Sequence, residues 1–139
     1  MRVGLLTSGG DCPGLNAVIR SAVLHGIKTY DYELVGIRDG WRGLIEGDVE
    51  DLPRQRVRGL ARTGGTILGT SRTHPYNHPQ GGPENIKAQM ARLGLDAVVA
   101  IGGGSTTGSS ATTCSSGVSM AWTVPKPFRQ PNSDTLSAL

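Results

Sequence analysis

The chain has 139 residues, the length of one domain, so a single core is expected and two are not. Apolar residues make up 37% and aromatic residues only 4%, which is thin core material and makes stability an open question from the start. The net charge of +3 is scattered, with no run longer than two of one sign, which argues against a nucleic-acid surface while leaving enough arginine to hold a phosphorylated small ligand.

Arg2–Thr7 (RVGLLT) is a short apolar run that predicts a strand, and Ser8-Gly9-Gly10-Asp11-Cys12-Pro13-Gly14 follows at once as a dense turn signal. From Leu15 the apolar residues recur at Val18, Ile19, Ala22, Val23 and Ile27, the one-sided spacing of an amphipathic helix. Glu33–Arg38 (ELVGIR) predicts the next strand, so the opening reads as a βαβ unit with parallel strands and a right-handed crossover. Asp39–Asp51 predicts only a turn or short helix around Leu44 and Ile45, and Arg54–Arg62 a second short helix ended by Gly64-Gly65. Thr66–Arg72 is expected to be a strand and loop crossing under the sheet. His74–Pro83, with its prolines and glycines, predicts an exposed loop. Pro83 then suits a first helical position, with Ile86, Met90 and Leu93 on one face and Gly94 as the stop. Leu95–Ile101 (LDAVVAI) is the clearest strand, and it feeds Gly102-Gly103-Gly104 as the first strand feeds its own glycines.

Past Gly102 the character changes. Gly102–Gly117 is almost entirely Gly, Ser, Thr and Ala, without an apolar face to repay the entropy of ordering, and Val118–Leu139 shows neither helical nor strand periodicity. The expected organisation is a folded unit over 1–103 and a divergent, disordered or frameshifted tail over 104–139. Cys12 and Cys114 fit neither a metal-ligand spacing nor a disulfide framework, the first apolar run is too short for a secretory signal, and no stretch approaches membrane-spanning length. A soluble protein of the reducing cytoplasm is expected.

Two strand-to-glycine-loop junctions at the carboxyl ends of parallel strands place both loops on one edge of the sheet, where open α/β sheets bind ligands. The Gly9–Gly14 loop precedes a helix whose first amides are unpaired and whose dipole favours an anion, with Asn16 and Arg20 in its first turns. It is neither a Walker A motif nor a GxGxxG fingerprint, and the same glycines equally well serve only to turn the chain. Arg72, between Ser71 and Thr73, is a second phosphate candidate against the plain alternative of a solvated loop arginine. Gly102–Ser105 is a third, against the alternative of a strand-ending turn. Cys12 has no histidine near it in sequence and reads as a small packed thiol. His74 and His78 cannot share a helical face because Pro75 and Pro79 forbid that helix.

These residues also carry a resemblance. Gly4–Arg20 (GLLTSGGDCPGLNAVIR), Asp39–Leu44 (DGWRGL), Arg62–Arg72 (RTGGTILGTSR) and Gly94–Gly103, in this order, resemble the bacterial phosphofructokinases, most of all their actinobacterial branch, over about three-quarters of the chain. For the fold, the resemblance implies an incomplete Rossmann-like, three-layer α/β domain with a parallel sheet. For function, it implies an N-terminal fragment of an enzyme of glycolysis, a cytoplasmic homo-oligomer that passes a phosphoryl group from ATP, or pyrophosphate in some members, to the 1-hydroxyl of fructose 6-phosphate with Mg2+. By the same resemblance Gly10, Arg72 and Thr73 contact the donor, Trp41 lies near the nucleotide, Gly102, Gly103, Gly104 and Ser105 wrap its phosphates, and Arg20 matches a regulatory-nucleotide contact.

The departures from the family pattern are as informative. The family follows its glycine pair with an acid that helps to hold magnesium, and here Gly104 stands in that place, so no metal ligand is assigned. Where the family has a Thr-Ile-Asp-Asn-Asp motif carrying the general base, this chain reads Val124-Pro125-Lys126-Pro127-Phe128-Arg129, so no catalytic residue is assigned. Loss of a general base alone costs about 10²- to 10⁴-fold, and the chain is expected to be inactive by itself. An out-of-frame reading of a normal gene after about Gly103 is the expected origin of the change. A phosphate-binding module without catalysis is the alternative function.

Overall fold

The computed structural model describes residues 1–102 together with the strands Thr112–Thr113 and Ser119–Thr123. Six strands form one mixed sheet. In chain order they are β1 (Arg2–Ser8), β2 (Glu33–Ile37), β3 (Val49–Asp51), β4 (Ala97–Gly102), β5 (Thr112–Thr113) and β6 (Ser119–Thr123), in the spatial order β3-β2-β1-β4-β6-β5. The middle of the sheet is parallel: β1 pairs with β2 from Arg2↔Glu33 to Leu6↔Ile37, and with β4 from Val3↔Ala97 to Ser8↔Gly102. Both flanks are antiparallel, β3 on β2 and β6 on β4.

Alternation along the central strands sorts the apolar residues onto two faces. Val3 and Leu5 of β1, Leu34 of β2, and Ala97, Val99 and Ile101 of β4 pack with Leu15, Ile19 and Val23 of α1 (Leu15–Tyr30). Leu6, Val35, Ile37, Val98 and Ala100 face the other way, against Trp41 and Leu44 of α2 (Trp41–Glu46) and Ile86 and Met90 of α3 (Pro83–Arg92). Helices therefore cover both faces, the three-layer arrangement expected. The sheet grows outward from β1 in two directions, with α1 on one face and α3 on the other, so the boundary between β1 and β4 is the point where the winding reverses.

Four expectations are corrected. Asp39–Asp51 holds not only α2 but also β3, whose three residues are too few to show a period of two. Arg54–Arg62 is not a helix but a chain of tight turns ending in a 3-10 turn at Leu60–Arg62; its amides bond three residues back, as in Arg56 N–H to Pro53 O at 2.9 Å, and Gly59 at φ 77° breaks the run. Thr66–Arg72 adds no strand. Gly65 at φ 74° and Gly69 at φ 70° bracket it, and the Thr66 hydroxyl accepts the Leu68 N–H at 3.1 Å, turning the backbone out of an extended path. Leu68 is instead buried over Gly36, a position where any side chain would strike it. Finally, Ser119–Thr123 is a strand despite its lack of periodicity, because pairing Val98↔Thr123 through Gly102↔Ser119 satisfies the free edge of β4 through backbone groups alone. Apart from these strands, the expectation for 104–139 lies outside the described residues. No helix among the described residues is long and apolar enough to cross a membrane.

Candidate functional site

The carboxyl ends of β1 and β2 bring two loops to one edge, beside the end of β4 at Gly102, and a further segment, residues 63–73, is laced across it. β1 ends at Ser8, and Gly9 at φ 93° turns the chain outward. The Gly9 N–H donates to the Ser71 carbonyl at 3.2 Å, and the Ser8 hydroxyl donates to the same oxygen at 3.2 Å. Arg72 and Thr73 thus follow directly from a residue pinned to the first glycine loop. Gly102 sits opposite Ser8 on β4, and a Cβ there would collide with the Ser8 carbonyl, so glycine is needed for β4 to come this close to β1. Gly40, at the end of β2, lies against the same place: a Cβ on it would be 2.8 Å from the Thr7 carbonyl and 3.4 Å from Ser71 Oγ.

Buried polar side chains hold this edge together. Thr7, fully buried, donates from Oγ1 to the Gly69 carbonyl at 2.6 Å and shares a 2.9 Å hydrogen bond with Thr66 Oγ1. Asn16, 1% exposed, donates from Nδ2 to the Thr63 and Gly64 carbonyls at 3.0 and 3.1 Å and accepts the Ile67 N–H on Oδ1 at 2.8 Å. Its own N–H donates to the Gly65 carbonyl at 3.1 Å. This revises the expectation for the start of α1: one of its first amides, and the whole Asn16 side chain, are engaged by residues 63–67 and are not available to a ligand. What remains open is the backbone around Gly10, which is exposed with nothing within 4 Å of where a Cβ would stand, and the exposed side chain of Arg72. The Ser71 hydroxyl, buried at this edge, has no hydrogen-bond partner among the described residues.

The sequence-predicted residues distribute as follows. Gly10, Arg72, Thr73 and Gly102 lie on this edge. Trp41 heads α2 but is 8% exposed, packed in the second core cluster, and its indole Nε1 has no hydrogen-bond partner among the described residues. Arg20 lies on α1 about 8 Å along the axis from Leu15 at 1.5 Å per residue, and among the described residues neither Arg20 nor Arg72 enters an ion pair. Gly103, Gly104 and Ser105 lie outside the described residues. Cys12 is a free thiol packed partly into the first cluster. His74 and His78 each accept a loop N–H on Nδ1, from Tyr76 and Gln80.

Sequence reasoning missed Asn16, Thr7 and Gly40 as the parts that lock the edge. A signal was present for Asn16: it shares the i, i+3, i+7 stripe with Ile19 and Val23, and a polar residue on an apolar stripe must bond inside the protein.

Set against known proteins, residues 2–126 match the family model described as Phosphofructokinase. A pyrophosphate–fructose 6-phosphate 1-phosphotransferase of Amycolatopsis methanolica is 55% identical over 108 residues, which are 78% of this chain and 31% of that protein. ATP-dependent 6-phosphofructokinase 3 of Streptomyces coelicolor is 52% identical over 103 residues, 74% of this chain and 30% of that protein. Among solved structures, the phosphofructokinase from Saccharomyces cerevisiae superposes with a TM-score of 0.66 at 32% identity, covering 73% of this chain and 14% of that one. The chain spans about a third of the length of the curated relatives it matches.

Proposed function

The chain belongs to the phosphofructokinase family, and from that premise we propose that the edge formed by Gly9–Gly14, Ser71–Thr73 and Gly102 is the donor pocket of a kinase acting on the 1-hydroxyl of fructose 6-phosphate. One observation carries this reading. Gly9 is hydrogen-bonded to Ser71, and Ser8 lies opposite Gly102, so an open glycine backbone and an arginine share one site at a winding reversal. In that pocket Gly10 offers an unobstructed backbone, Arg72 a guanidinium that binds phosphate oxygens through two parallel N–H groups, and Thr73 a hydroxyl. Gly102 borders the pocket beside Ser8, and the resemblance alone assigns Gly103, Gly104 and Ser105 to the phosphates. Arg20, further down α1, is assigned to a separate regulatory nucleotide.

ATP is the proposed donor. Pyrophosphate is the second reading, favoured by two observations: relatives at 55% and 52% identity carry pyrophosphate in their names, and Trp41, at 8% exposure, presents little ring face to an adenine. Magnesium would supply charge neutralisation on the donor's phosphates. On a donor's phosphates it takes one or two carboxylates: among the described residues Asp11 lies beside Gly65 and Asp39 beside Gly69 but paired with Arg42, while Gly104 stands at the place of the family's acid, so no ligand is assigned. No step is assigned to the metal in this chain, and residues 1–103 are assigned to donor binding, in the cytoplasm, rather than to turnover.

Titration calorimetry with ATP-Mg and with pyrophosphate-Mg, beside a coupled assay with fructose 6-phosphate, tests the reading. Heat of binding with one donor and no product formation is expected. Binding of neither donor overturns it, and turnover overturns the assignment to binding alone.

A further inference from the structure

We propose that Asn16 is a positioning residue for the donor pocket: its buried amide pins the segment 63–71 to the start of α1 and so sets where Arg72 stands relative to Gly9 and Gly10. The segment is held at four places, three of them by the stretch that runs from β1 into α1 and one, the Leu68 carbonyl, by the Asp39 N–H at 2.8 Å. Asn16 holds Thr63, Gly64 and Ile67 through its side chain and Gly65 through its backbone. Thr7 holds Gly69 and Thr66 through its hydroxyl. Ser8 and Gly9 hold the Ser71 carbonyl, and the next residue is Arg72.

The chemistry of the first pin selects asparagine. Two donors meet two successive carbonyls while one acceptor meets an N–H, a pattern that the amide satisfies in one orientation only. An aspartate would set a carboxylate oxygen against two carbonyls, and an apolar residue would leave the Thr63 and Gly64 carbonyls and the Ile67 N–H without this partner at a part-buried place. Gly64 beside it is exposed and unobstructed, so beyond the amide the described residues offer this end of the segment only the Asn16 N–H to Gly65 bond and the turn at Thr63. With both ends pinned the segment presents Arg72 in one place. Freed at Asn16 it keeps its bonds at Leu68, Gly69 and Ser71 but loses the anchor of its far end, so Ser71 and Arg72 are held less tightly, which weakens any ligand that needs the arginine and the glycine loop together.

The experiment uses the full chain, with Asn16→Ser beside the parent, Arg72→Ala and the double variant. In Asn16→Ser the amides of Ile67 and, at the far end, Gly9 should exchange with solvent about tenfold faster, while strand amides such as Val35 keep their protection. Affinity for ATP-Mg or pyrophosphate-Mg should fall about tenfold, and Arg72→Ala, costly in the parent, should cost little more in that background, a coupling that a general loss of stability does not produce. Unchanged protection at Gly9 together with an undiminished Arg72 effect would overturn the proposal. The affinity arm rests on the donor reading and the exchange arm does not: a parent that binds neither donor sinks the donor reading, while exchange at Gly9 still decides for or against the pin. Should Asn16→Ser fail to fold, the parent alone decides, because Ile67 and Gly9 must then open with one common rate and denaturant dependence, and independent values contradict the pin.

Discussion

The two ends of β1 are built from opposite materials. At the carboxyl end, Thr7 and Ser8 are buried polar residues whose hydroxyls are committed to the carbonyls of Gly69 and Ser71, and the neighbouring glycines leave backbone open to solvent. At the amino end, Arg2 pairs with Glu33 at 3.3 Å and Asp51 at 3.6 Å, and its N–H donates to Asp96 Oδ2 at 2.8 Å. Beside it lies an apolar groove of about 230 Å3, lined by Met1, His25, Tyr30, Tyr32, Ala97 and Val99, with Tyr30 stacked on Tyr32. The difference supports the proposed place of the donor: a polyphosphate needs several donors aimed at one point, and among the described residues the carboxyl end is where buried side-chain hydrogen bonds hold loops together.

Substitutions at the two ends should therefore separate binding from stability. Gly102→Val has the largest expected effect, because its side chain strikes the Ser8 carbonyl: about 3 kcal/mol of stability by denaturant melting, with donor binding lost. Thr7→Val leaves the Gly69 carbonyl and the Thr66 hydroxyl without their partner, for about 2 kcal/mol in the same melts and a weaker donor complex. Arg72→Ala should leave the melting midpoint in place, since the side chain is exposed, and weaken donor binding by about 10- to 100-fold in calorimetry. Arg2→Ala removes two ion pairs whose side chains are 34% to 77% exposed, so it should cost less than about 1 kcal/mol, shrink further in high salt, and leave donor affinity unchanged. Comparable losses of donor affinity at Arg2 and Arg72 would erase the distinction between the ends.

Much of this was legible in the sequence where local pattern and tertiary role coincide. β1, α1, β2, α3 and β4 each carry a period or an apolar run, and Pro83 and Gly94 mark the ends of α3. The family-bearing glycine motifs were legible too, since a residue such as Gly102 is fixed by the close approach of two strands. The segment 63–71 was not: Thr66-Ile67-Leu68 has a strand-like composition, and bonds to residues distant in sequence, among them Thr7 and Asn16, 59 and 51 residues away, decide that it becomes a strap. For Asn16 the apolar stripe signals that its amide bonds inside the protein but not to what, because its partners are backbone groups, which carry no sequence signature. β6 was missed because its pairing rests on the open edge of β4 rather than on any pattern of its own.

Amide chemical shifts in a titration of the full chain with pyrophosphate-Mg or ATP-Mg test the central claim most directly. The account predicts that the largest changes gather at Gly9, Gly10, Arg72 and Gly102, with His25, Tyr30 and Tyr32 unmoved. Changes centred on the groove at the other end of the strand, or none at saturating donor, would contradict it.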